Sequence, residues 1–405
     1  MTWSQRFQST LKQRHQDNLW RQRQTLQSAQ GPRVTIEGQK LINFCSNDYL
    51  GLAEQGADDL QRAAKKWGLG SGASHLVCGH SEAHHELERA LAKHTGYPRA
   101  LLFSTGFMAN IGCIQALTQR GDHIFQDKLN HASLIDGALL SRAEFHRYPH
   151  LNYQRLESNL DKYTGDGLSL VVSDSIFSMD GDLANVATLA SICAEKDALL
   201  MIDDAHGLGV IGDNGAGVRS AFNLSREQLP VYVGTLGKSL GGFGAFVAGD
   251  NDLIDYLTQF ARPYIYTTAI PPAVAEAMLG NLMRMRNNEL RQTLQTHIQY
   301  FRTRSKLMGL PLMDSQSPIQ PLLIGEETAA LAISKGLRER GIMVSAIRPP
   351  TVPTGTSRLR VTLTASHTRQ DIDLLIAALD ELITPESGLR HARKPITIES
   401  EESSL

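Results

Sequence analysis

Cysteine is scarce in this chain and widely scattered. Its 405 residues include four, Cys45, Cys78, Cys113 and Cys193, with no C-x-x-C pair among them. That spacing argues against a disulfide framework or a zinc ribbon and fits a reducing compartment. No apolar run approaches the ~18–20 residues of a membrane span. The N-terminus lacks the apolar core of a secretion signal. A cytoplasmic protein that does not enter a membrane is therefore expected. Neither charge dominates: 40 Lys and Arg stand against 42 Asp and Glu, a formal net charge of −2. That balance removes any global drive toward nucleic acid or an anionic surface. The first 33 residues are the local exception, with Arg6, Lys12, Arg14, Arg21, Arg23 and Arg33 against Asp17 alone. Gln is too abundant and Ser too sparse there for a transit peptide, so a basic helix packed on the protein body is expected. No internal repeat is present.

What remains is an ordinary globular mixture, 41% hydrophobic and 20% charged, in a chain long enough for two domains. Residues 3–27 read as a polar helix anchored by Trp3, Phe7, Leu11, Leu19 and Trp20. A hairpin-like extended stretch follows. From about residue 85, short apolar runs alternate with helical ones. Strand-like segments lie at 99–103, 168–175, 198–206, 230–235 and 244–249, and a helix is expected at 106–118. This pattern implies a mostly parallel sheet covered on both faces. A long helical region at about 273–308 leads to a smaller α+β unit with extended runs at 319–325 and 358–364 and helices at 327–340 and 369–383. The expected division is an N-terminal segment at 1–45, a large domain at 46–285, a small one at 286–385, and a polar, disordered tail at 386–405.

Ligands of parallel α/β sheets sit beyond the carboxyl ends of the strands. Those ends carry Thr105 and Gly106, Asp174, Asp203 and Asp204, and Thr235, polar or small residues that a plain core does not require. Beyond Thr235 the chain reads "TLGKSLGGFGAF", one lysine among glycines. A P-loop needs its first glycine at 232, but Tyr232 stands there and Gly234 comes two residues late. A metal site is a second candidate at "GHSEAHHELE", where His80, His84 and Glu88 fall at i, i+4, i+8 of a helix, with Asp203, Asp204 and His206 as further ligand types. The H-E-x-x-H pattern is absent and surface histidines are common, so no metal is expected.

A third chemistry fits more of the residues. A lysine can hold pyridoxal phosphate as an imine, and the cofactor then needs several supports. A buried carboxylate must keep its ring nitrogen protonated, and Asp203 ends an apolar run. Its phosphate needs hydroxyls and a helix N-terminus, which Gly106, Phe107 and Thr235 suit. His131 can stack on the ring, and His206 can serve the phenolic oxygen. Each of these residues has an ordinary structural explanation by itself; their order and spacing favour the cofactor.

The stretches "FCSNDYLGL", "FSTGFMAN", "DKLNHASLIDG", "FSMDGD", "DDAHGLGVIG", "TLGKSLGGFGAF" and "RPPTVPTGTSRLRVTLTA" together resemble the α-oxoamine synthases. The match runs in order over about residues 20–385. The resemblance implies an aspartate aminotransferase-like, fold type I pyridoxal-phosphate transferase, built as a homodimer with sites at the interface. By that likeness Lys238 carries the imine and then moves the substrate Cα proton. Asp203 pairs with the ring nitrogen, His206 with the phenolic oxygen, and His131 stacks on the ring. Ser178 lies near the phenolic edge, and Gly106, Phe107 and Thr235 lie at the phosphate, with Thr267 reaching the phosphate of the neighbouring subunit. Arg360 clamps the amino-acid carboxylate, while Arg21, Asn47 and Thr351 line the acyl side. The family commonly has glutamate where Asp174 stands, a shortened carboxylate whose role stays open. "SNDYLGL", "SGASHLVCGHS" and the arginine-rich segment near 358 point to the members that join L-alanine to pimeloyl-CoA or pimeloyl-acyl carrier protein in biotin biosynthesis. A glycine-using relative and a cofactor-less binding protein on the same fold are the alternatives.

Overall fold

The computed structural model describes residues 1–17, 19–163 and 167–383. Strands β1 (Arg33–Ile36) and β2 (Gln39–Asn43) form an antiparallel hairpin. Its two-residue turn, Glu37 and Gly38, has positive φ at both positions (53° and 76°), the geometry that matches strand twist in tight hairpins.

The central sheet has seven strands: β3 (Arg99–Phe103), β4 (His123–Asp127), β5 (Glu144–Tyr148), β6 (Ser169–Asp174), β7 (Ala198–Asp203), β8 (Val231–Thr235) and β9 (Ala245–Gly249). Their spatial order is β3-β9-β8-β7-β6-β4-β5. Pairings from β5 through β8 are parallel, and β9 runs antiparallel to both its neighbours. Strands β4, β8 and β9 are buried at every residue, which is why β8 and β9 read as apolar runs, whereas β4 carries His123, Gln126 and Asp127. Helices Gly106–Leu117, Ala132–Leu140, Tyr153–Lys162 and Val186–Glu195 connect the parallel strands. The mostly parallel sheet expected from the sequence is present; β4 and the polar edge strand β5 were not among the expected segments.

The C-terminal part contains β10 (Ile319–Gly325), β11 (Ile342–Met343), β12 (Ser345–Ile347) and β13 (Ser357–Thr362). Strands β10, β13 and β12 form one small antiparallel sheet. The short β11 instead pairs in parallel with β2, so the N-terminal hairpin shares a sheet with the C-terminal part. The long helical region is two helices, Pro272–Met285 and Asn288–Leu307, the second capped by Asn287. The tail expected at 386–405 lies outside the described residues. Among those described, no helix is long and apolar enough to cross a membrane.

The N-terminal helix departs from expectation. It spans Trp3–Gln16 and stops at Asp17; beyond it the chain turns back, with Leu19 N donating to Arg14 O and the Trp20 ring stacked 3.9 Å from His15. None of its residues is buried, and Trp3, Phe7 and Leu11 are exposed. Its apolar stripe therefore does not pack on the body of its own chain.

His150 ties together two loops that flank the strand ends. Its Nδ1 lies 3.0 Å from Asp127 Oδ1 and its Nε2 2.7 Å from Asp182 Oδ2. Burial opposes the charge, but the two carboxylates outweigh it and raise the pKa to about 10. A folded-state pKa above the unfolded value of ~6.5 contributes stability that is full below that value and lost as pH rises toward 10. Thermal melts of the parent should weaken over that window, whereas His150→Gln should start lower and show a flatter dependence. Parallel pH curves for the two proteins would contradict this account.

Candidate active site

The strand ends converge as parallel topology requires. Asp174 and Asp203 are register partners at the ends of β6 and β7. Asp203 Oδ2 accepts from Asn110 Nδ2 at 2.6 Å and its Oδ1 from Ala205 N at 2.9 Å. The Asn110 amide also donates to Ser133 Oγ at 2.8 Å, and Ser133 meets His131 Nδ1 at 2.7 Å. A chain of hydrogen bonds thus links Asp203 to His131. Asp174 Oδ2 accepts from His131 N at 2.6 Å. Burial, followed by the neighbouring Asp203 charge, raises the Asp174 pKa well above the carboxylate range. Asp204 turns to the opposite side of the strand, where Ser175 Oγ (2.5 Å), Tyr232 OH (2.7 Å) and Val218 N (2.8 Å) hold it. It is a structural acid, not a ligand.

Lys238 lies three residues past β8. Its Nζ is 2.7 Å from His206 Nε2, and His206 Nδ1 is 2.5 Å from the hydroxyl of Tyr49. Burial lowers the lysine pKa to about 8, against the pull of Asp203 and Asp174. Burial, with Lys238 and Arg360 nearby, holds His206 well below the usual imidazole range. The loop folds back on itself: Leu236 N donates to Gly244 O (2.9 Å) and Gly241 N to Lys238 O (2.8 Å). A Cβ at Gly241 would come 2.4 Å from Ala53 N, and one at Gly242 would come 2.0 Å from Met278 Sδ. These two glycines admit neighbouring protein, and the sequence did not reveal that. The Thr235 hydroxyl donates to Gly244 O at 3.1 Å, so it braces the lysine loop.

Arg360 sits on β13, buried. Its Nε donates to Ser178 O (2.7 Å), Nη1 to Thr362 Oγ1 (3.0 Å) and Nη2 to Asn47 Oδ1 (3.1 Å). Arg21, His131, Ser178 and Thr351 line one cleft of about 620 Å³, together with Lys128 and Arg147. Gly106 and Phe107 open the helix Gly106–Leu117, capped by the Thr105 hydroxyl on Met108 N at 3.2 Å. A Cβ at Gly106 would meet nothing within 4 Å, so the space over that N-terminus is open. Thr267 makes none of the hydrogen bonds of the lysine cluster given above. Its neighbour Thr268 offers its carbonyl to Ser104 Oγ at 3.4 Å, which sets the segment beside that same helix start.

The histidine cluster differs from the spacing argument. The helix begins at Glu82, so His80 precedes it. His84 accepts from Ser81 N (3.0 Å) on Nδ1 and has its Nε2 2.7 Å from Ile270 O. Both its nitrogens are already engaged. The residues that sequence reasoning missed are Tyr49, Asn110 and Ser133. Tyr49 lay inside a quoted motif with no role attached. Asn110 stands one helical turn past Gly106, a position that periodicity alone would have associated with it.

The assembled donor set fits pyridoxal phosphate. It offers a lysine with a lowered pKa, a buried carboxylate fixed by an amide, two imidazoles, and an open helix N-terminus suited to a phosphate. Residues 39–379 match the family described as aminotransferase class I and II. The chain belongs to that family, and its central sheet and smaller C-terminal part are the fold type I architecture. It is 54% identical to an 8-amino-7-oxononanoate synthase from Pseudomonas savastanoi pv. phaseolicola, over 93% of this chain and 95% of the relative. A solved 8-amino-7-oxononanoate synthase from Francisella tularensis superposes with a TM-score of 0.74 at 34% identity, covering 84% of this chain and 97% of that one. A serine palmitoyltransferase from S. paucimobilis, solved with a PLP–myriocin adduct, reaches 0.90 at 27% identity over 96% and 100%. Within the broad family the chain is thus an α-oxoamine synthase, of the 8-amino-7-oxononanoate synthase branch.

Proposed function

We propose that this chain is a pyridoxal-phosphate enzyme of biotin biosynthesis. It condenses L-alanine with a pimeloyl thioester to give 8-amino-7-oxononanoate, CO2 and the free thiol carrier. The observation that carries the reading is the Lys238–His206 contact of 2.7 Å, with Asp203 the acid that weighs most on that amine, in a chain 54% identical to an enzyme of that name. The bound cofactor supplies an electron sink for the amino acid's α-carbon.

The protein does the rest. Lys238 Nζ, neutral in part because burial lowers its pKa, takes the α-proton of alanine and later returns one. Asp203, positioned by Asn110, would face the ring nitrogen. His131 is held in orientation by Ser133 for stacking on the ring, and His206 offers a donor to the phenolic oxygen. Gly106, Phe107, Thr235 and Ser178 would hold the phosphate and phenolic edge, with Thr267 of a second copy reaching the phosphate. Arg360, already aimed by Ser178 and Asn47, binds the substrate carboxylate with its planar fork. Arg21, Asn47 and Thr351 receive the acyl chain. The cationic Arg21, Lys128 and Arg147 around the cleft suit the phosphates of CoA or of a carrier protein's phosphopantetheine. We assign the chain to the cytoplasm as a homodimer; exposed apolar residues near the helix start and lysine loop, Phe107, Phe243 and Tyr266, support a covered face there.

The test is a spectral titration of the cofactor-loaded protein with alanine, glycine and serine, followed by a panel of acyl thioesters. Alanine should perturb the visible band, and only the pimeloyl thioesters should then release CO2. A response to glycine alone would reject the substrate assignment. Arg360→Lys should raise the alanine KM on the order of tenfold and alter kcat less, because an ammonium cannot reproduce the bidentate fork. An unchanged KM would place the carboxylate elsewhere.

A further inference from the structure

His206 is engaged at both ring nitrogens, by groups far apart in sequence. Its Nε2 faces Lys238 Nζ at 2.7 Å, and its Nδ1 faces the Tyr49 hydroxyl at 2.5 Å, across 157 positions of chain. Tyr49 is fully buried. Its other oxygen neighbour, Asn47 Oδ1, lies 3.4 Å away and already accepts from Arg360 Nη2 at 3.1 Å. A phenol has one hydrogen to donate, and the short contact to Nδ1 is the better placed for it.

A ring nitrogen that accepts a hydrogen bond carries no proton, so a neutral imidazole held this way has its proton on Nε2. Two electrostatic facts agree with that state. Burial pushes the Tyr49 hydroxyl to about 12, so it keeps its hydrogen. Burial and the nearby cations keep the His206 ring neutral. A neutral Lys238 amine, which its lowered pKa makes accessible, can accept the Nε2–H across their 2.7 Å contact, and the reverse tautomer would turn a lone pair toward the cofactor's phenolic oxygen.

We propose that Tyr49 is the positioning residue that fixes His206 as the Nε2–H tautomer, so that His206 presents a donor to the cofactor's phenolic oxygen. This rests on the pyridoxal-phosphate reading above. With that oxygen in place, the tautomer decides between attraction and repulsion. A hydroxyl contributed from residue 49 thereby governs the acidity of the cofactor's chromophore without touching it.

Two measurements test this, and neither needs turnover. The first is the pH titration of the visible absorbance band and the affinity for added pyridoxal phosphate. Tyr49→Phe, which removes only the hydroxyl, should move the titration midpoint up by about one unit and weaken cofactor binding about tenfold. In a His206→Asn background the same change should alter affinity less than about twofold, because the residue through which Tyr49 acts is gone. The second is nitrogen NMR of selectively labelled histidine in the cofactor-loaded parent protein, which needs no variant to fold: His206 should be protonated at Nε2 and bare at Nδ1. An unmoved midpoint in Tyr49→Phe, additive losses in the double variant, or a proton on Nδ1 would each overturn the inference. A parent protein that shows no visible band with the cofactor would instead overturn the reading on which it rests.

Discussion

Lys238→Ala is expected to abolish the visible absorbance of the cofactor-loaded protein and to lower turnover on the order of 10⁴-fold or more, since proton transfer by a positioned side chain alone contributes ~10²–10⁴. His206 contacts the Lys238 amine at 2.7 Å, and the charges of Asp203 and Asp174 act on it. Removing a buried, partly neutral amine should leave the melting temperature close to that of the parent. The amine also sets a pH dependence in the parent. With a pKa near 8, the neutral form dominates above that value, so cofactor capture should rise with pH and level off past 8. Each unit below the midpoint should cost about tenfold in the reactive fraction. Turnover within a hundredfold of the parent in Lys238→Ala, or a flat capture profile between pH 6 and 9, would remove Lys238 from its assigned role.

Asp203→Asn comes second in size. The substitution keeps the shape and can keep a hydrogen bond to Asn110, but it removes the charge that holds a proton on the ring nitrogen of the bound cofactor. Losing one preorganised electrostatic partner in a dry site costs ~10²–10³ in rate, and a comparable loss is expected here. Asp174 lies beside Asp203 in register, yet cannot take over, because burial disfavours its charged form and its Oδ2 is committed to His131 N. A second consequence has a definite sign. Asp203 contributes the largest pull raising the Lys238 pKa, so neutralising it should move the lysine midpoint below 8. Kinetic and spectral titrations of Asp203→Asn measure both effects. A rate loss with no downward shift would mean that Asp203 does not face the amine as the structure places it.

Much of the site could be read from the chain because its logic is local. Asp203 and His206 are three residues apart at the end of an apolar strand, Lys238 follows the next strand, and Gly106 starts the helix after another. Strand periodicity and the end-of-strand rule place all of these at one edge of the sheet. Arg360, Asn47 and Ser178 were named from the chain for separate tasks, and their hydrogen-bonded grouping appeared only in the fold. Local pattern failed where an element needed a partner to define it. The stripe of Trp3, Phe7 and Leu11 predicts a packed helix, yet the helix ends at Gln16 with no buried residue. The i, i+4, i+8 spacing put His80 on a helix that begins only at Glu82.

The residues by themselves determined the alternation of strands and helices and the rejection of a nucleotide loop by two residues of glycine spacing, and they singled out Lys238, Asp203 and His206 as candidates. Those conclusions rest on spacing and order along the chain, which a linear sequence displays. Tertiary structure alone decided that Asp174 lies beside Asp203, that Asn110 and Ser133 connect Asp203 to His131, and that Gly241 and Gly242 yield to Ala53 and Met278. It alone brought the Tyr49 hydroxyl to His206 and the Asn47 amide to Arg360, a residue 313 positions away. Hydrogen-bond reach is about 3 Å, and only the packing of remote segments determines which polar atoms come that close.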